Sequence, residues 1–408
     1  MIRIHGRRRA ARLVLTAGAA TAAAVTGLAG AASAGTPAAL PTGTVLAAGA
    51  GAIADSYIVT MVPGATTSRA LTRRYGGAVV DDYTTAVTGF HARMTRLQAA
   101  RLAAHPAVRS VEQDAVVTAD GVQAAPTWGL DRIDQAGRPL SGTYTYRAAA
   151  NVTVYVLDTG VRITAKDFQG RARHGYDFID GDRAADDCNG HGTHVAGTIG
   201  GARYGVAKDV RLVGVRVLDC AGSGSYSTII KGVDWVTRHA VKPAVANMSL
   251  GGTRSRTLDD AVRRSIAAGI TYAVAAGNDD RDACRQSPAG EPDAITVAAT
   301  DGNDTRASFS NHGTCVDIFA PGVRIVSDSA KSDTGATTMS GTSMASPHVA
   351  GAAALVLGAH PAWTPKQVRD AMVTRATAGV VADRQGSPNK LLSTVWLNPA
   401  TGGTAGRG

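Results

Sequence analysis

Val152-Thr153-Val154-Tyr155-Val156-Leu157-Asp158-Thr159-Gly160 is a mostly apolar, β-branched run that stops at a carboxylate and two small residues. It reads as a strand covered on both faces, because a strand with one solvated face would alternate. Four similar runs follow, at residues 210–218, 244–248, 271–275 and 295–298. Residues 226–240, 258–268 and 364–376 have helical spacing, and 343–358 is an apolar, Ala-rich run that reads as a buried helix. This pattern predicts an α/β domain whose mostly parallel sheet is flanked by helices. In such sheets the site lies beyond the carboxyl ends of the strands, so the residues that follow each strand carry the functional reading.

Asp158 is the first such residue, and it can orient an imidazole. The segment Asn189-Gly190-His191-Gly192-Thr193-His194-Val195-Ala196-Gly197 supplies one, with His191 at the mouth of a helix of small residues. The segment Gly341-Thr342-Ser343-Met344-Ala345-Ser346-Pro347-His348 supplies a candidate nucleophile, Ser343, at the entrance of the buried helix, with Pro347 expected in the first turn. There the backbone N–H groups have no intrahelical partner and can face a developing oxyanion. A serine hydroxyl attacks poorly unless a base takes its proton, and that base needs a carboxylate on its other ring nitrogen. Asn278, after Ala275-Ala276-Gly277, adds a side-chain amide that can donate to the oxyanion. Taken singly, Ser343 is a helix cap and Asn278 a turn residue; the three roles together make a site. The pair His191 and His194 does not read as zinc, since there is no His-Glu-x-x-His arrangement and no obvious third ligand, so His194 is expected to be a packed residue.

The chain is 408 residues long with 44% hydrophobic content, enough for one large core and a smaller module. A formal charge of +10 suggests a polyanion partner, but from residue 124 onward there are 30 basic and 26 acidic side chains. That is too even for a basic groove, so no nucleic-acid partner is expected. Arg7, Arg8, Arg9 and Arg12 precede an apolar run, and Ala32-Ser33-Ala34 has the small residues of a cleavage site. Residues 1–34 therefore read as a secretory signal peptide and not a membrane anchor, which predicts a secreted protein. Export predicts oxidised cysteines, and the even number of them, Cys188, Cys220, Cys284 and Cys315, suggests two bridges with three possible pairings.

Between the signal segment and the large domain, residues 35–54 are low-complexity. Residues 56–62, 68–75, 79–94, 95–104 and 108–117 then read as strand, helix, two strands, helix and strand, a small α+β unit at about 54–122. No long linker separates it from Trp128, which favours a pro-segment ending near Gln123 over an independent module, leaving 124–398 as the main domain and 399–408 as a Gly-rich tail.

From about Trp128 to Leu397 these segments resemble the subtilisin-like (S8) serine peptidases, and specifically the aqualysin-like members of the proteinase K branch. The chain order Asp158, His191, Ser343 matches the order known for subtilisin. The unit at 54–122 resembles the inhibitor-like (I9) propeptide of the same family, which implies a ferredoxin-like fold before a seven-stranded-type subtilisin sheet. The resemblance implies that Asn278 and the Ser343 N–H bind the oxyanion. It implies that Gly222-Ser223-Gly224 forms the substrate-pairing edge and that Ser249-Leu250-Gly251-Gly252 and Ala275-Ala276-Gly277 wall the primary pocket. It implies the pairs Cys188–Cys220 and Cys284–Cys315, and Val195 stands where many proteinase K relatives carry a cysteine. It also implies structural calcium and no catalytic metal. One calcium site maps to Asp317 with the carbonyls of Pro292 and Ala294, and two further candidates are Asp131, Asp134 and Gln135, and Asp180, Asp182 and Asp187.

The resulting expectation is a secreted serine endopeptidase that acts on polypeptides, is made as a self-processing zymogen with its propeptide as inhibitor and folding aid, and is a monomer when mature. The pocket segments contain no acidic residue, and Asp279 and Asp280 are expected to turn away from the cleft, so cleavage is expected after apolar and aromatic residues. An inactive peptide-binding relative is the alternative; its expected mark, a lost Asp, His, Ser or Asn, is absent. An esterase is disfavoured by the peptide-pairing segment.

Overall fold

A computed structural model describes residues 41–48, 52–115 and 121–398. The expected signal segment, residues 1–34, and the tail, 399–408, lie outside the described residues. Residues 52–115 form a four-stranded antiparallel sheet in the order Ala78–Tyr83, Gly89–Arg93, Ala52–Met61, Val108–Ala115, with helices Ser68–Tyr75 and Arg96–Ala103. Tyr57, Val59, Leu71, Phe90, Leu102 and Val111 pack between sheet and helices, and this strand, helix, strand, strand, helix, strand order is the α+β fold expected for that segment. Residues Gly121–Ala124 pair antiparallel with Thr143–Tyr146 of the following domain. The boundary expected near Gln123 thus falls inside a strand that the larger domain has already recruited.

That domain is built on seven parallel strands: β1 Thr153–Asp158, β2 Ala172–Asp177, β3 Arg211–Arg216, β4 Ala244–Met248, β5 Ile270–Ala275, β6 Ile295–Thr300 and β7 Ile318–Pro321. Their order in space is β7-β6-β5-β4-β1-β3-β2, and two short strands, Thr377–Ala378 and Lys390–Leu391, extend the β7 edge. It is the mostly parallel α/β arrangement expected from the sequence. Every residue of β1, β4, β5 and β6 is buried, as their unbroken apolar runs require. Helices α1 His191–Gly200 and α4 Thr342–Ala359 pack on one face, α4 against β4, β5, β6 and β7; α2 Tyr226–His239 and α3 Arg256–Ala267 cover a second apolar layer, and α5 Pro365–Thr374 packs against α4 and β5.

Pro347 is the sixth residue of α4, deeper than the expected first turn. Having no N–H, it cannot bond the carbonyl four residues earlier, and that carbonyl belongs to Ser343. The expected bridges Cys188–Cys220 and Cys284–Cys315 are both present, and among the described residues no cysteine is free. No described helix is long and apolar enough to cross a membrane.

Candidate active site

The strand order reverses beside β1, and the carboxyl ends of β1 and β4 open there together. Asp158 closes β1 and is fully buried; its Oδ1 lies 2.7 Å from His191 Nδ1 and accepts the Thr159 N–H at 2.8 Å. The approach is possible because the next residue of α1 is Gly192, where a Cβ would run into the Gly160 carbonyl and the Asp158 side chain. Burial pulls the His191 pKa down, but the Asp158 charge and hydrogen bond, with a further contribution from Asp187, outweigh it and hold it above the ordinary value. The His191 side chain keeps 25% of its surface exposed, so its outer nitrogen is reachable.

Ser343 is the second residue of α4, a position whose N–H has no intrahelical acceptor. Its carbonyl, which Pro347 leaves unbonded, is taken by the Ser249 hydroxyl at 2.8 Å, while its own hydroxyl donates to the Ser249 carbonyl at 3.1 Å. Ser249 Oγ in turn accepts from Asn247 Nδ2 at 2.9 Å, and Asn247 Oδ1 accepts from Ser346 at 2.8 Å. A closed ring of polar contacts therefore fastens the start of α4 to the end of β4. The Ser343 hydroxyl rests on Ser249, and His191 lines the same cavity.

Asn278 follows β5. Its Oδ1 accepts from both the Thr342 N–H at 2.8 Å and the Thr342 hydroxyl at 2.9 Å, so the carboxamide is fixed with its Nδ2 hydrogens as the free donors. The Thr342 hydroxyl also accepts the Gly277 N–H at 3.1 Å. Thr342 was not singled out in the sequence, although it adjoins the nucleophile. A cavity of about 740 Å³ carries His191, Ser343, Gly222, Ser223, Gly224, Ser249, Leu250, Gly251 and Gly252 on its walls. A neighbouring one of about 210 Å³ joins Ser343 and Asn278 to Leu250, Gly251, Ala275, Ala276 and Gly277. All the expected edge and wall residues meet there. Asp279 is on the lining of the smaller cavity as well, and Asp280 turns away from the cleft, to Arg306 at 2.8 Å.

This arrangement offers a buried carboxylate, an imidazole raised in basicity, a hydroxyl and a fixed side-chain amide around one cleft. The model of the subtilase family of peptidases (Peptidase_S8) matches residues 149–392, and that of peptidase inhibitor I9 matches 56–120. The chain is a subtilase. It is 56% identical over 78% of its length to an extracellular serine proteinase of Thermus sp. (strain Rt41A), covering 78% of that protein. It is 52% identical over 75% of its length to alkaline serine exoprotease A of Vibrio alginolyticus, covering 58% of that protein. A crystal structure of a cold adapted subtilisin-like serine proteinase superposes on 66% of the chain and 99% of that structure, with a TM-score of 0.65 and 52% identity. With these relatives the subtilase is a serine endopeptidase preceded by an I9 propeptide segment.

The remaining expected residues divide. His194 is buried, with Nε2 bonded to the Ile325 carbonyl at 3.0 Å, and burial pushes its pKa down to about 4, so it is a packed residue. Among the described residues no group of three or more His, Cys, Asp or Glu side chains is placed to hold a metal, so any calcium site must draw on amide and backbone oxygens. The Asp317 site does not fit: Oδ1 accepts from Arg369 at 2.5 Å and Oδ2 from the Thr296 N–H at 2.8 Å, so the cation there is a guanidinium. The trio Asp180, Asp182 and Asp187 does not fit either. Asp180 pairs with Arg216 at 2.7 Å, Asp182 accepts the Ala184 N–H at 2.8 Å, and Asp187 is saturated by donors described below. Asp131, Asp134 and Gln135 fit in part, since Asp134 alone has an open oxygen while both Asp131 oxygens and the Gln135 carbonyl already accept N–H groups. Asp131 and Gln135 gather around Ser141 and Gly142, while Asp134 leaves Oδ1 buried without a partner, and burial and the nearby Asp131 charge raise its pKa to about 6.

Proposed function

We propose that this subtilase is a secreted, broadly specific serine endopeptidase made as a zymogen that removes its own propeptide, and that it works as a monomer once mature. Ser343 attacks the scissile carbonyl, forming a bond from its Oγ to the carbonyl carbon while His191 Nε2 takes the hydroxyl proton. Asp158 keeps the imidazole in the tautomer that can do so and stabilises the imidazolium. Asn278 Nδ2 and the Ser343 N–H receive the oxyanion; collapse expels the amine, protonated by His191, and water hydrolyses the acyl-enzyme by the same route. The observation that carries the reading is the 2.7 Å Asp158–His191 contact on a cavity whose walls also hold Ser343 and the peptide-pairing Gly222–Gly224 segment. An esterase has no use for that edge.

A serine-directed covalent inhibitor is expected to add one label per chain, at Ser343, and to stop casein hydrolysis; intact mass then gives the mature length too. Ser343→Ala is expected to abolish hydrolysis and to leave the precursor uncut in a host without other proteases, and normal maturation of that variant would remove self-processing from the reading. The wall segments Leu250–Gly251 and Ala275–Gly277 carry no charge, which supports cleavage after apolar and aromatic residues, with Asp279 on the same lining disfavouring acidic ones. A peptide-library profile checks this, and strong enrichment of Arg or Lys on the acyl side of the cut would make Asp279 the dominant determinant.

Structural calcium at Asp131, Asp134 and Gln135 belongs to the same proposal. Its contribution, when bound, is to tie the segment after Trp128 to residues 141–143, with no part in the chemistry.

A further inference from the structure

His191 is the first residue of α1, and the first turn of a helix leaves its N–H groups without intrahelical acceptors. The N-cap residue is Gly190, at φ 104°, which has no side chain to offer. Each N–H of the turn is nevertheless met from outside the helix. The His191 N–H goes to Asn189 Oδ1 at 3.2 Å, Gly192 N–H to Thr159 Oγ1 at 3.0 Å and Thr193 N–H to Asp187 Oδ2 at 2.8 Å. Asp187 is the hub of this arrangement. Its Oδ1 also accepts from the Thr159 hydroxyl at 2.8 Å, Gly190 N–H at 2.8 Å and Asn189 N–H at 3.1 Å, and its Oδ2 from the Thr193 hydroxyl at 2.5 Å.

Thr159 is the residue after Asp158, and Gly190 and Thr193 flank His191. One carboxylate thus fastens both ends of the Asp158–His191 hydrogen bond while touching neither partner. An ionised carboxylate accepts through about four lone-pair directions, and five donors converge on this one, which leaves no oxygen for a cation. We infer that Asp187 is the positioning residue of the site, setting the register between the end of β1 and the first turn of α1, where the family resemblance implied a calcium ligand. The inference rests on the reading of His191 as the general base. Charge-assisted acceptance from so many donors is the kind of contact that fixes a helix start to a fraction of an ångström, the tolerance that catalytic alignment requires. The Asp187 charge also adds to that of Asp158 in favouring the imidazolium.

The test is Asp187→Asn in the full-length chain, with Thr159→Val and His191→Ala in parallel. Asp187→Asn is expected to lower kcat by about ten- to a hundredfold, the scale of a sub-ångström to ångström misplacement, with KM changed by less than about twofold. It is also expected to move the acid limb of the kcat/KM profile to lower pH. Thr159→Val breaks the bridge but keeps the Asp187 charge, so kcat is expected to fall while the acid limb stays in place. If Asp187→Asn yields no mature enzyme, Thr159→Val alone decides: a lowered kcat at parental KM supports the inference and a parental kcat overturns it. Parental kcat and acid limb in Asp187→Asn, or a loss of melting temperature alone, also overturns it. His191→Ala separates the two readings, because substantial residual hydrolysis in that variant removes the general base itself, whereas an inactive His191→Ala beside an unaffected Asp187→Asn removes only the positioning role.

Discussion

Thr342 is a residue whose importance appears only with its partners in view. It holds the Asn278 carboxamide by two hydrogen bonds and so decides which end of that amide faces the cleft. Asn278→Ala is expected to lower kcat by about a hundred- to a thousandfold with KM little changed, the loss known for the oxyanion-hole asparagine of subtilisin. An unchanged kcat in single-turnover measurements would take Asn278 out of the oxyanion hole. Asp158, His191, Ser343 and Asn278 were legible in the sequence because each carries a reactive group at a strand or helix end with small residues around it. Thr342 and Asn247 were not, since a hydroxyl or amide that only aims its neighbour leaves no mark in its own surroundings, and Ser249 was named only as a pocket wall, through the resemblance.

At the scale of elements, residues Ile325–Asp328 and Ala336–Met339 form a hairpin that packs on α1, and its Asp328 is buried against Asp167. Burial, then the Asp167 charge and the hydrogen bond shared with it, push the Asp328 pKa up from 3.8 to about 8. Between about pH 4 and 8 the folded protein therefore keeps a proton that the unfolded chain has released. Stability falls as pH rises through that window and levels off above it. Asp328→Asn cannot ionise, so its melting temperature is expected to exceed that of the parent at pH 9 and to converge with it near pH 4; parallel curves would show that Asp328 does not titrate in the fold. The disulfides belong to this scale too. Closures of 32 and 31 residues each contribute about 3.5 kcal/mol by chain entropy. The hairpin and strand β2 escaped the sequence reading: Ala-Arg-His-Gly-Tyr-Asp is an edge strand with a partly exposed, polar surface, and its pattern does not stand out from a loop.

The whole molecule was legible where burial is two-sided. Five central strands and the helices α2 to α5 were readable to within a few residues, whereas β7 and the two-residue strands beside it are too short to register as runs. The number of parallel strands came from the family resemblance, not from counting runs. The proposed calcium would act at this scale by mass action: at a hundred times its dissociation constant, one ion at Asp131, Asp134 and Gln135 would stabilise the fold by about 2.7 kcal/mol. Adding EDTA is therefore expected to lower the melting temperature, and Asp134→Ala to abolish that sensitivity; a sensitivity surviving in the variant would place the ion elsewhere. The carbonyl that Pro347 leaves unbonded has a further consequence. Because the Ser249 hydroxyl holds the Ser343 carbonyl, the backbone of the nucleophile is tied to the expected pocket wall as well as to its own helix. A side chain that pushes on that wall as it enters also carries the attacking oxygen with it, so a poorly fitting substrate is expected to lose speed as well as affinity, and the pocket and the reaction are selected as one part.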